Sequence, residues 1–450
     1  MTIVSSSIAL RPIVLMAAVS LMLGGCSEST RPEATGKGNI RGIHAVPTAP
    51  EVTFLIEERA LGNVTYKNVT SAQEFDDLTY NFNFDTRLPG DSGLTRIATE
   101  TVTVVPDTNY DFVLTGTVNA PSIVLWETAE RQWDGAETVL EVSAGHLASG
   151  TAAVDIYFAP PGTAPVLGSA RGTLSFGDRL PAFEAENGEY RLIVTEQGNP
   201  AAVLFTSTTR DYTERTSVLF TIQDADPSIT SGLSVRRIEQ SSNSVEVGDA
   251  TFPPTRRFFN SAFGSGIIDI YVDDDFVTPI VSNLVHGGLS ADVPVPAGES
   301  TYTYTAVGNP GAILLEDEDT VVANTRGTNY VTGEAGDLEI AVFADDRRPV
   351  TGFAKIRVTQ VAASFDSVDA YLVAADIDIA DVGPNLPRLG ANASSGYLHL
   401  NPGNYELTVT EVGEKTVLAG PVPISLASGG IVETAIIDTA DPNQLNVVIY

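Results

Sequence analysis

The stretch Val154-Asp155-Ile156-Tyr157-Phe158 sets the pattern on which this sequence is built. Its apolar side chains alternate with Asp and Tyr, and a period of two is that of a β-strand with one buried face. The pattern returns as Ile268-Asp269-Ile270-Tyr271-Val272 and Val368-Asp369-Ala370-Tyr371-Leu372, and more weakly as Val52-Thr53-Phe54-Leu55-Ile56. The copies lie 100 to 114 positions apart, so the sequence predicts four similar units, each long enough for a sandwich domain.

Short runs rich in Val, Ile and Thr fill the rest of the chain, bounded by Gly, Pro, Asn and Asp. Without sustained helical periodicity, such runs predict an all-β fold. A further recurrence aligns Thr108-Asn109-Tyr110 with Thr328-Asn329-Tyr330. The predicted organisation is a signal peptide (1–25), a flexible tether (26–38), four β-sandwiches (39–137, 138–238, 255–349 and 350–450) and a Ser-rich linker (239–254).

The first residues have the pattern of a secretory signal. Arg11 precedes an apolar run that ends in Leu23-Gly24-Gly25-Cys26, and this run is too short to span a bilayer as a mature helix. Leu-Gly-Gly-Cys resembles the bacterial lipobox, in which the thiol is lipidated and the preceding peptide is removed. We therefore expect a mature protein anchored through Cys26, with an ordinary cleaved signal and an incidental thiol as the alternative. Ser27 favours sorting to the outer membrane, facing the periplasm or the cell surface.

Composition restricts the partners of the chain. The formal net charge is -32, from 57 acidic and 25 basic residues, so no basic face is available for nucleic acid. An acidic surface commonly serves solubility, and salt tolerance or divalent-cation binding are the alternatives. The single cysteine excludes an intramolecular disulfide. The expected partners are the membrane, through the lipid on Cys26, and a polysaccharide or another envelope protein.

Several segments resemble one bacterial envelope family. These are His44-Ala45-x-Pro47-x-Ala49-Pro50 leading into Val52-Ile56, the Asp-x-Tyr strands, and the strands that open with Gly188-Glu189-Tyr190 and Gly403-Asn404-Tyr405. Together they resemble the family called domain of unknown function 4397. The resemblance implies tandem immunoglobulin-like domains in secreted or lipid-anchored proteins, and it implies no catalytic residues. The strands that open at Tyr190 and Tyr405 also resemble the tyrosine corner of immunoglobulin-like domains, from which the third unit departs with Ser300.

Three groups of residues are candidates for binding. If the apolar residues of the repeated strands face the core, then the intervening acids and phenols face outward and form either a contact face or a cover over a neighbouring strand: Asp155, Tyr157, Asp269, Tyr271, Asp369 and Tyr371. Asp273-Asp274-Asp275 offers oxygen ligands for calcium, but it lacks the spaced ligands and Gly of an EF-hand, which favours a solvated acidic turn. The four histidines lie one to a unit without metal-ligand spacing, and Trp126 and Trp133 flank the first domain junction.

The sequence thus predicts four tandem immunoglobulin-like β-sandwiches in a lipid-anchored cell-envelope protein that acts as a non-catalytic binding or structural module. Two alternatives stay open. One is a carbohydrate-processing or other hydrolytic enzyme with its carboxylates at a domain junction. The other is an adhesin-like module stiffened by calcium. Apart from calcium, we expect no cofactor.

Overall fold

The computed structural model describes residues 34–91, 93–239, 244–273 and 275–450, and in these ranges the chain folds into eight antiparallel or mixed β-sheets of four or five strands. The sheets form four sandwiches, which confirms the predicted all-β fold. No helix in these ranges is long and apolar enough to cross a membrane. Cys26 and most of the predicted tether lie outside the described residues, as do Ser92 and Asp274.

Sandwiches 1 and 2 occupy the first half of the chain. Sandwich 1 contains β1 (Lys37–His44), β2 (Val52–Ile56), β3 (Arg59–Val64), β4 (Gln73–Asp76), β5 (Thr79–Arg87), β6 (Leu94–Thr103), β7 (Thr108–Thr117) and β8 (Ala120–Ala129). Sandwich 2 contains β9 (Val139–Leu147), β10 (Val154–Ala159), β11 (Gly172–Leu174), β12 (Phe183–Glu186), β13 (Gly188–Glu196), β14 (Asn199–Thr206), β15 (Arg210–Tyr212), β16 (Ser217–Asp224), β17 (Leu233–Glu239) and β18 (Ser244–Glu246). Because β18 pairs with β17, part of the predicted linker belongs to sandwich 2.

Sandwiches 3 and 4 follow the same plan. Sandwich 3 contains β19 (Thr255–Asn260), β20 (Ile268–Val272), β21 (Val281–Leu284), β22 (Val293–Pro294), β23 (Gly298–Ala306), β24 (Ile313–Val321), β25 (Arg326–Glu334) and β26 (Asp337–Ala344). Sandwich 4 contains β27 (Ala354–Gln360), β28 (Ser367–Ala374), β29 (Leu386–Gly390), β30 (Ala393–Leu400), β31 (Gly403–Thr410), β32 (Val417–Leu426), β33 (Ile431–Asp438) and β34 (Leu445–Ile449), with a 3₁₀ turn at Ile379–Asp381.

Each sandwich divides its strands between two sheets in the same way. The first-strand sheet, named for the strand that opens the sandwich, has the orders β4-β1-β7-β8, β12-β9-β16-β17-β18, β22-β19-β25-β26 and β30-β27-β33-β34. In each, the opening strand runs parallel to its neighbour, as β1 does to β7. The second-strand sheet carries the repeated sequence pattern at a central position, between β11 and β13 in sandwich 2. The apolar residues of that pattern lie in the core, including Val154, Ile156 and Phe158.

The sandwiches associate in back-to-back pairs through the outward faces of their first-strand sheets. Ile43 and Val113 of sandwich 1 pack against Leu219 and Ile238 of sandwich 2. Phe259 and Tyr330 of sandwich 3 similarly pack against residues of sandwich 4. A strand with two buried faces has no solvent side, so polar residues on these outward faces must find partners within the protein.

The pairs meet at a central junction. Arg348, between sandwiches 3 and 4, donates from Nη1 to the carbonyls of Pro47 and Ala49 in sandwich 1, at 2.7 and 2.8 Å. Its guanidinium also lies over the ring of Tyr66, whose hydroxyl donates to the carbonyl of Asp224 in sandwich 2 at 2.7 Å. Residues from successive parts of the chain thereby fix the two pairs relative to each other.

The recurring Thr-Asn-Tyr triplets have different roles in the two sandwiches. Tyr110 lies opposite Ile40 and is part of the core of sandwich 1. Tyr330 lies opposite Phe259 and is part of the interface with sandwich 4. The two triplets have the same sequence but do not occupy equivalent positions in their sheets. In a β-strand, a shift by an odd number of residues moves a side chain to the other face.

The back-to-back contact of sandwiches 1 and 2 predicts a strong effect of one methyl group. A Cβ added at Gly145 would lie 2.2 Å from Cη2 of Trp126, so Gly145→Ala should force the two sheets apart at a cost of about 1–3 kcal/mol. We expect faster limited proteolysis between β8 and β9 and a lower melting temperature. Gly135→Ala is the control, because a Cβ there has no atom within 4 Å. Equal protease resistance of both variants would contradict the packing described.

Candidate functional site

The repeated Asp of the second-strand sheets holds a neighbouring hairpin. Asp155, Asp269 and Asp369 are 6%, 4% and 4% exposed, and each accepts a hydrogen bond from the N–H of a turn glycine. The donors are Gly198, Gly308 and Gly413, at 2.7, 2.8 and 2.8 Å. The second carboxylate oxygen of each Asp accepts from the strand or turn on its other side, from Thr173, Asn283 or Arg388. These carboxylates therefore serve the fold.

The repeated Tyr is buried as well. Tyr157, Tyr271 and Tyr371 are 4%, 4% and 2% exposed. Tyr371 accepts a hydrogen bond from Nζ of Lys415 at 3.1 Å, and Tyr271 packs on Phe276. The alternation placed these side chains correctly opposite the core, but all three are buried on that side as well. These acids and phenols offer little exposed surface, and a contact face formed by them stays a prediction.

In each sandwich, a polar side chain at the end of the opening strand bonds to the backbone of the connection that follows. We call this side chain, with its bonds, the clasp. In sandwich 1, His44 accepts from the N–H of Val46 at 3.2 Å and bonds through Nε2 to the carbonyl of Pro50 at 3.0 Å. The same position holds His146, Asn260 and Gln360 in the other sandwiches, and each bonds to the N–H two residues later. Burial lowers the pKa of His44 to about 3, so its imidazole stays neutral. These side chains fix the connection between the opening strand and the second strand.

The acidic turn at Asp273 and Asp275 is held by three hydrogen bonds to its carboxylates. Asp273 accepts from the N–H of Thr301 at 3.1 Å and from the hydroxyl of Ser300 at 3.2 Å, while Asp275 accepts from the N–H of Val277. Within the described ranges no three His, Cys, Asp or Glu side chains are grouped to hold a metal. Since Asp274 lies outside those ranges, calcium at this turn stays a prediction.

The candidate binding site is a cleft of about 750 Å³ between sandwiches 1 and 2. One end is closed where Ile43 and Val113 meet Leu219. Towards the open end, Asn39 and Asn109 form the wall from sandwich 1, and Glu141 and Ser217 form the wall from sandwich 2. Domain interfaces are a common location for ligand sites in proteins, and this volume lies in the range typical of such sites.

A buried ion ladder forms the floor of the cleft. Asp111, on β7, is fully buried and accepts from Nε of Arg41 at 2.6 Å and from Nη1 of Arg179 at 2.8 Å. Arg41 belongs to sandwich 1 and Arg179 to sandwich 2, so the carboxylate joins the two sandwiches. Burial alone would raise the pKa of Asp111, but the two guanidinium groups outweigh it and hold the pKa below its ordinary value. Removing one member of such a ladder leaves an unpaired buried charge, at a cost of about 3–5 kcal/mol.

Trp126 completes the floor beside the ladder. Its indole N–H donates to the carbonyl of Gly177 at 2.8 Å, and the guanidinium of Arg179 lies 6.0 Å from its ring. The ring of Trp126 packs closely against Gly145, because this residue has no side chain to clash with it. Three anchored groups, Asp111, Trp126 and Arg179, thus give the cleft a rigid polar base. No His side chain lines it among the described residues.

Sequence reasoning placed Trp126 at the first domain junction but found neither the cleft nor its ladder. Asp111 lies between Tyr110 and Phe112 on an alternating strand, a pattern that favours a solvent-facing acid. Arg41 is 70 positions away and Arg179 is 68 positions away, so no local motif joins the three. The available signal was the apolar run Phe112-Val113-Leu114 in β7, since consecutive apolar residues are typical of a strand buried on both faces.

The architecture defines a protein of tandem β-sandwiches arranged in pairs. The family described as Domain of unknown function (DUF4397) matches residues 38–157 and 255–371, more than half of the chain, and the chain belongs to this family. Each match covers one sandwich and continues into the second strand of the next. Each match therefore begins with the first sandwich of a back-to-back pair and ends within the second sandwich of that pair.

Solved structures give weak likenesses. "The Bacillus anthracis TIE protein" is 9% identical, with a TM-score of 0.16, and the match covers 90% of this chain and 69% of that chain. "Alpha-glucan binding by a streptococcal virulence factor" is also 9% identical, with a TM-score of 0.16, and covers 40% of this chain and 93% of that chain. No argument about function rests on either. A comparison with curated proteins found no match.

The buried clasp predicts a pH dependence of stability. The unfolded chain binds a proton on His44 near pH 6.5, whereas the folded chain does not until about pH 3. The stability that the neutral imidazole contributes is therefore complete above pH 6.5 and declines as the pH falls towards 3, by up to about 1.4 kcal/mol per pH unit.

His44→Asn should remove this pH dependence and keep the clasp, because Asn260 makes the equivalent bonds in sandwich 3. His44→Ala should lose both. Urea unfolding at pH 7 and pH 4.5 measures the difference between each variant and the wild type. Parallel pH profiles for the wild type and His44→Asn would contradict the neutral, buried state of this histidine.

Proposed function

We propose that this chain is a non-catalytic binding protein of the bacterial cell envelope, anchored by a lipid on Cys26, and that its ligand occupies the cleft between sandwiches 1 and 2. The observation that carries the binding role is the rigid polar floor of that cleft, in which Asp111 joins both sandwiches. A site whose polar groups are held by buried bonds loses little conformational freedom when it binds.

The anchor is supported by the sequence Leu23-Gly24-Gly25-Cys26 and by the polar, Pro- and Gly-containing stretch that separates it from β1. Such a tether keeps the sandwiches near the membrane surface without fixing their orientation. Sorting to the outer membrane, with the sandwiches in the periplasm or at the cell surface, is the location we propose. A polysaccharide or another envelope protein is the expected kind of partner.

A hydrolytic enzyme is the second candidate, because the cleft collects six carboxylates at a domain junction: Asp111, Glu127, Glu130, Glu141, Asp178 and Glu239. General acid catalysis needs a carboxyl group that is protonated near neutral pH. Asp111 has the opposite character, since its pKa is lowered by Arg41 and Arg179. The carboxylate in the floor is paired with two arginines, and this arrangement supports binding over catalysis.

A calcium-stiffened, adhesin-like role through Asp273-Asp274-Asp275 is a third proposal, which an increase in melting temperature with millimolar Ca²⁺ would support.

The anchor is tested by Cys26→Ala. We expect this variant to lose incorporation of labelled palmitate and to move from the membrane fraction to the soluble fraction, since no lipid would be attached. Cys26→Ser is a matched control for side-chain size and should behave in the same way. Continued membrane association of both variants after a salt wash would refute anchoring through this residue.

The non-catalytic role is tested with chromogenic glycosides and esters. We expect no turnover above that of buffer. Any turnover that Asp111→Asn or Glu141→Gln abolishes, while Gly135→Ala retains it, would overturn the proposal in favour of the enzyme. Each protein must first show an unchanged β-sheet circular dichroism spectrum, because Asp111→Asn also weakens the ladder.

The cleft is tested with tryptophan fluorescence, since Trp126 and Trp133 are the two tryptophans of the chain. In Trp133→Phe, emission reports on the cleft floor alone. We expect at least one of three probes, namely maltotriose, spermidine or a short extended peptide, to change this emission in a saturable way. Ser217→Arg, which places a long side chain at the open wall, should prevent the change. No response to any probe would refute the cleft as the binding site.

A further inference from the structure

Strand β8 forms one side of the cleft and is the edge strand of its sheet. It pairs with β7 in an unbroken register, with Thr128 opposite Asn109 and Trp126 opposite Asp111. The N–H of Glu130 bonds to the carbonyl of Asp107, which continues the same register by one residue beyond β8. Bonded positions alternate along an antiparallel edge, so the residues at even positions point their backbone groups towards β7.

The remaining positions of β8 point their backbone N–H and C=O groups away from β7. These positions are Leu125, Glu127 and Ala129, and no hydrogen bond from the described residues satisfies them. A row of free donors and acceptors on an edge strand is a template on which another strand can pair. From Leu125 to Ala129 the row is about 14 Å long, at about 3.4 Å per residue.

The cleft has the form of a slot beside this row. Its lining includes the unbroken run 125–131 on one side and the unbroken run 177–182 of sandwich 2 on the other. Trp126 connects the two runs at the floor, through its bond to Gly177. A slot bounded by a strand edge and a loop admits an extended chain, with backbone bonds on one side and side chains directed towards the walls.

The charge of the side chains that line the slot determines which kind of extended chain can bind there. Three guanidinium groups line the slot against six carboxylates, and all three already pair with acids of this protein. Arg41 and Arg179 hold Asp111, and Arg131 holds Glu137 and Glu184. Glu127 and Glu130 lie in the lining on β8 and just beyond it, and Glu141 lies on the opposite wall. The slot therefore presents uncompensated negative charge to an occupant.

We propose that an extended, basic segment of a partner protein binds in this cleft by adding a strand to the free edge of β8. The backbone bonds at Leu125, Glu127 and Ala129 supply the affinity, and lysine or arginine side chains of the segment pair with Glu127, Glu130 and Glu141. This assignment of the ligand rests on the proposed binding function of the cleft and deepens it.

The test uses synthetic five-residue peptides and the Trp133→Phe protein. A capped Lys-Val-Lys-Val-Lys peptide should change Trp126 emission in a saturable way. Its Glu-Val-Glu-Val-Glu counterpart should not, because its charge is repelled. A Lys-Val-Lys-Val-Lys peptide with N-methylated backbone amides keeps the charge and removes the donors that pair with β8, so we expect it to bind at least about tenfold more weakly.

The protein side of the test is Glu127→Pro. Proline lacks an N–H and is tolerated on an edge where that group faces outward, so the substitution removes one template donor together with one carboxylate. Glu127→Gln removes the carboxylate alone and separates the two effects. Val342→Pro on β26, the edge strand at the same position in sandwich 3, is the control and should leave binding unchanged.

The outcomes separate the two proposals. Equal binding of the N-methylated peptide would overturn strand addition, and this comparison leaves the protein unaltered, so it holds even where Glu127→Pro fails to fold. A response to spermidine or maltotriose without a response to the Lys-Val peptide would also overturn strand addition and retain the cleft as a site. If none of the three probes changes the emission of Trp126, the cleft itself is refuted as a binding site.

Discussion

The structure depends on the burial of charged side chains between sheets that face each other. Each first-strand sheet has a sandwich core on one side and another sandwich on the other. Asp111 can be fully buried because Arg41 and Arg179 approach it from two different sandwiches. The second pair uses more groups, with Asp345 held by Arg257, Arg347 and Arg357 and with Glu433 held by Arg257 and Arg357. A ladder of this kind adds little net free energy beyond apolar packing, but it penalises every arrangement in which one partner is missing. The pairing of sandwiches is therefore specific.

In all four sandwiches the same position at the end of the opening strand makes the same bonds, although the residue at that position differs. His44, His146, Asn260 and Gln360 differ in chemistry, yet each accepts an N–H and bonds to a carbonyl at the end of the opening strand. The requirement is a planar group with both an acceptor and a donor. Histidine meets it only while neutral, which burial ensures for His44. The predicted tyrosine corner shows the opposite case, in which one residue type has two roles. The hydroxyl of Tyr405 donates to the carbonyl of Asn401 at 2.8 Å, whereas Tyr190 stacks on Phe158.

Much of the fold followed from the sequence because period-two patterns report directly on strands. The Val154 strand, its copies and their core faces were predicted from alternation alone. Alternation reports which side of a sheet a residue occupies, but it does not report what covers that side. For this reason alternation left open whether Asp155 and Tyr157 form a contact face or a cover, and it did not predict that both are buried. The cleft could not be predicted from alternation either, since its floor joins residues that are far apart in sequence.

The Thr-Asn-Tyr triplets suggested equivalent positions that the structure does not show. Identical sequence does not fix the register of a strand, and Tyr110 and Tyr330 lie on opposite faces.

The parallel pairing of the opening strand has a mechanical consequence. Strand β1 lies at the end of the proposed tether and between β4 and β7, with six consecutive residues, Asn39 to His44, in register with β7. A pull on the preceding segment acts along the axis of β1, so it loads those interstrand hydrogen bonds together in shear. Bonds loaded in this geometry yield collectively, unlike a hairpin peeled open one bond at a time. An anchored protein built in this way would transmit tension from the membrane into the first pair of sandwiches while its strands remain in place.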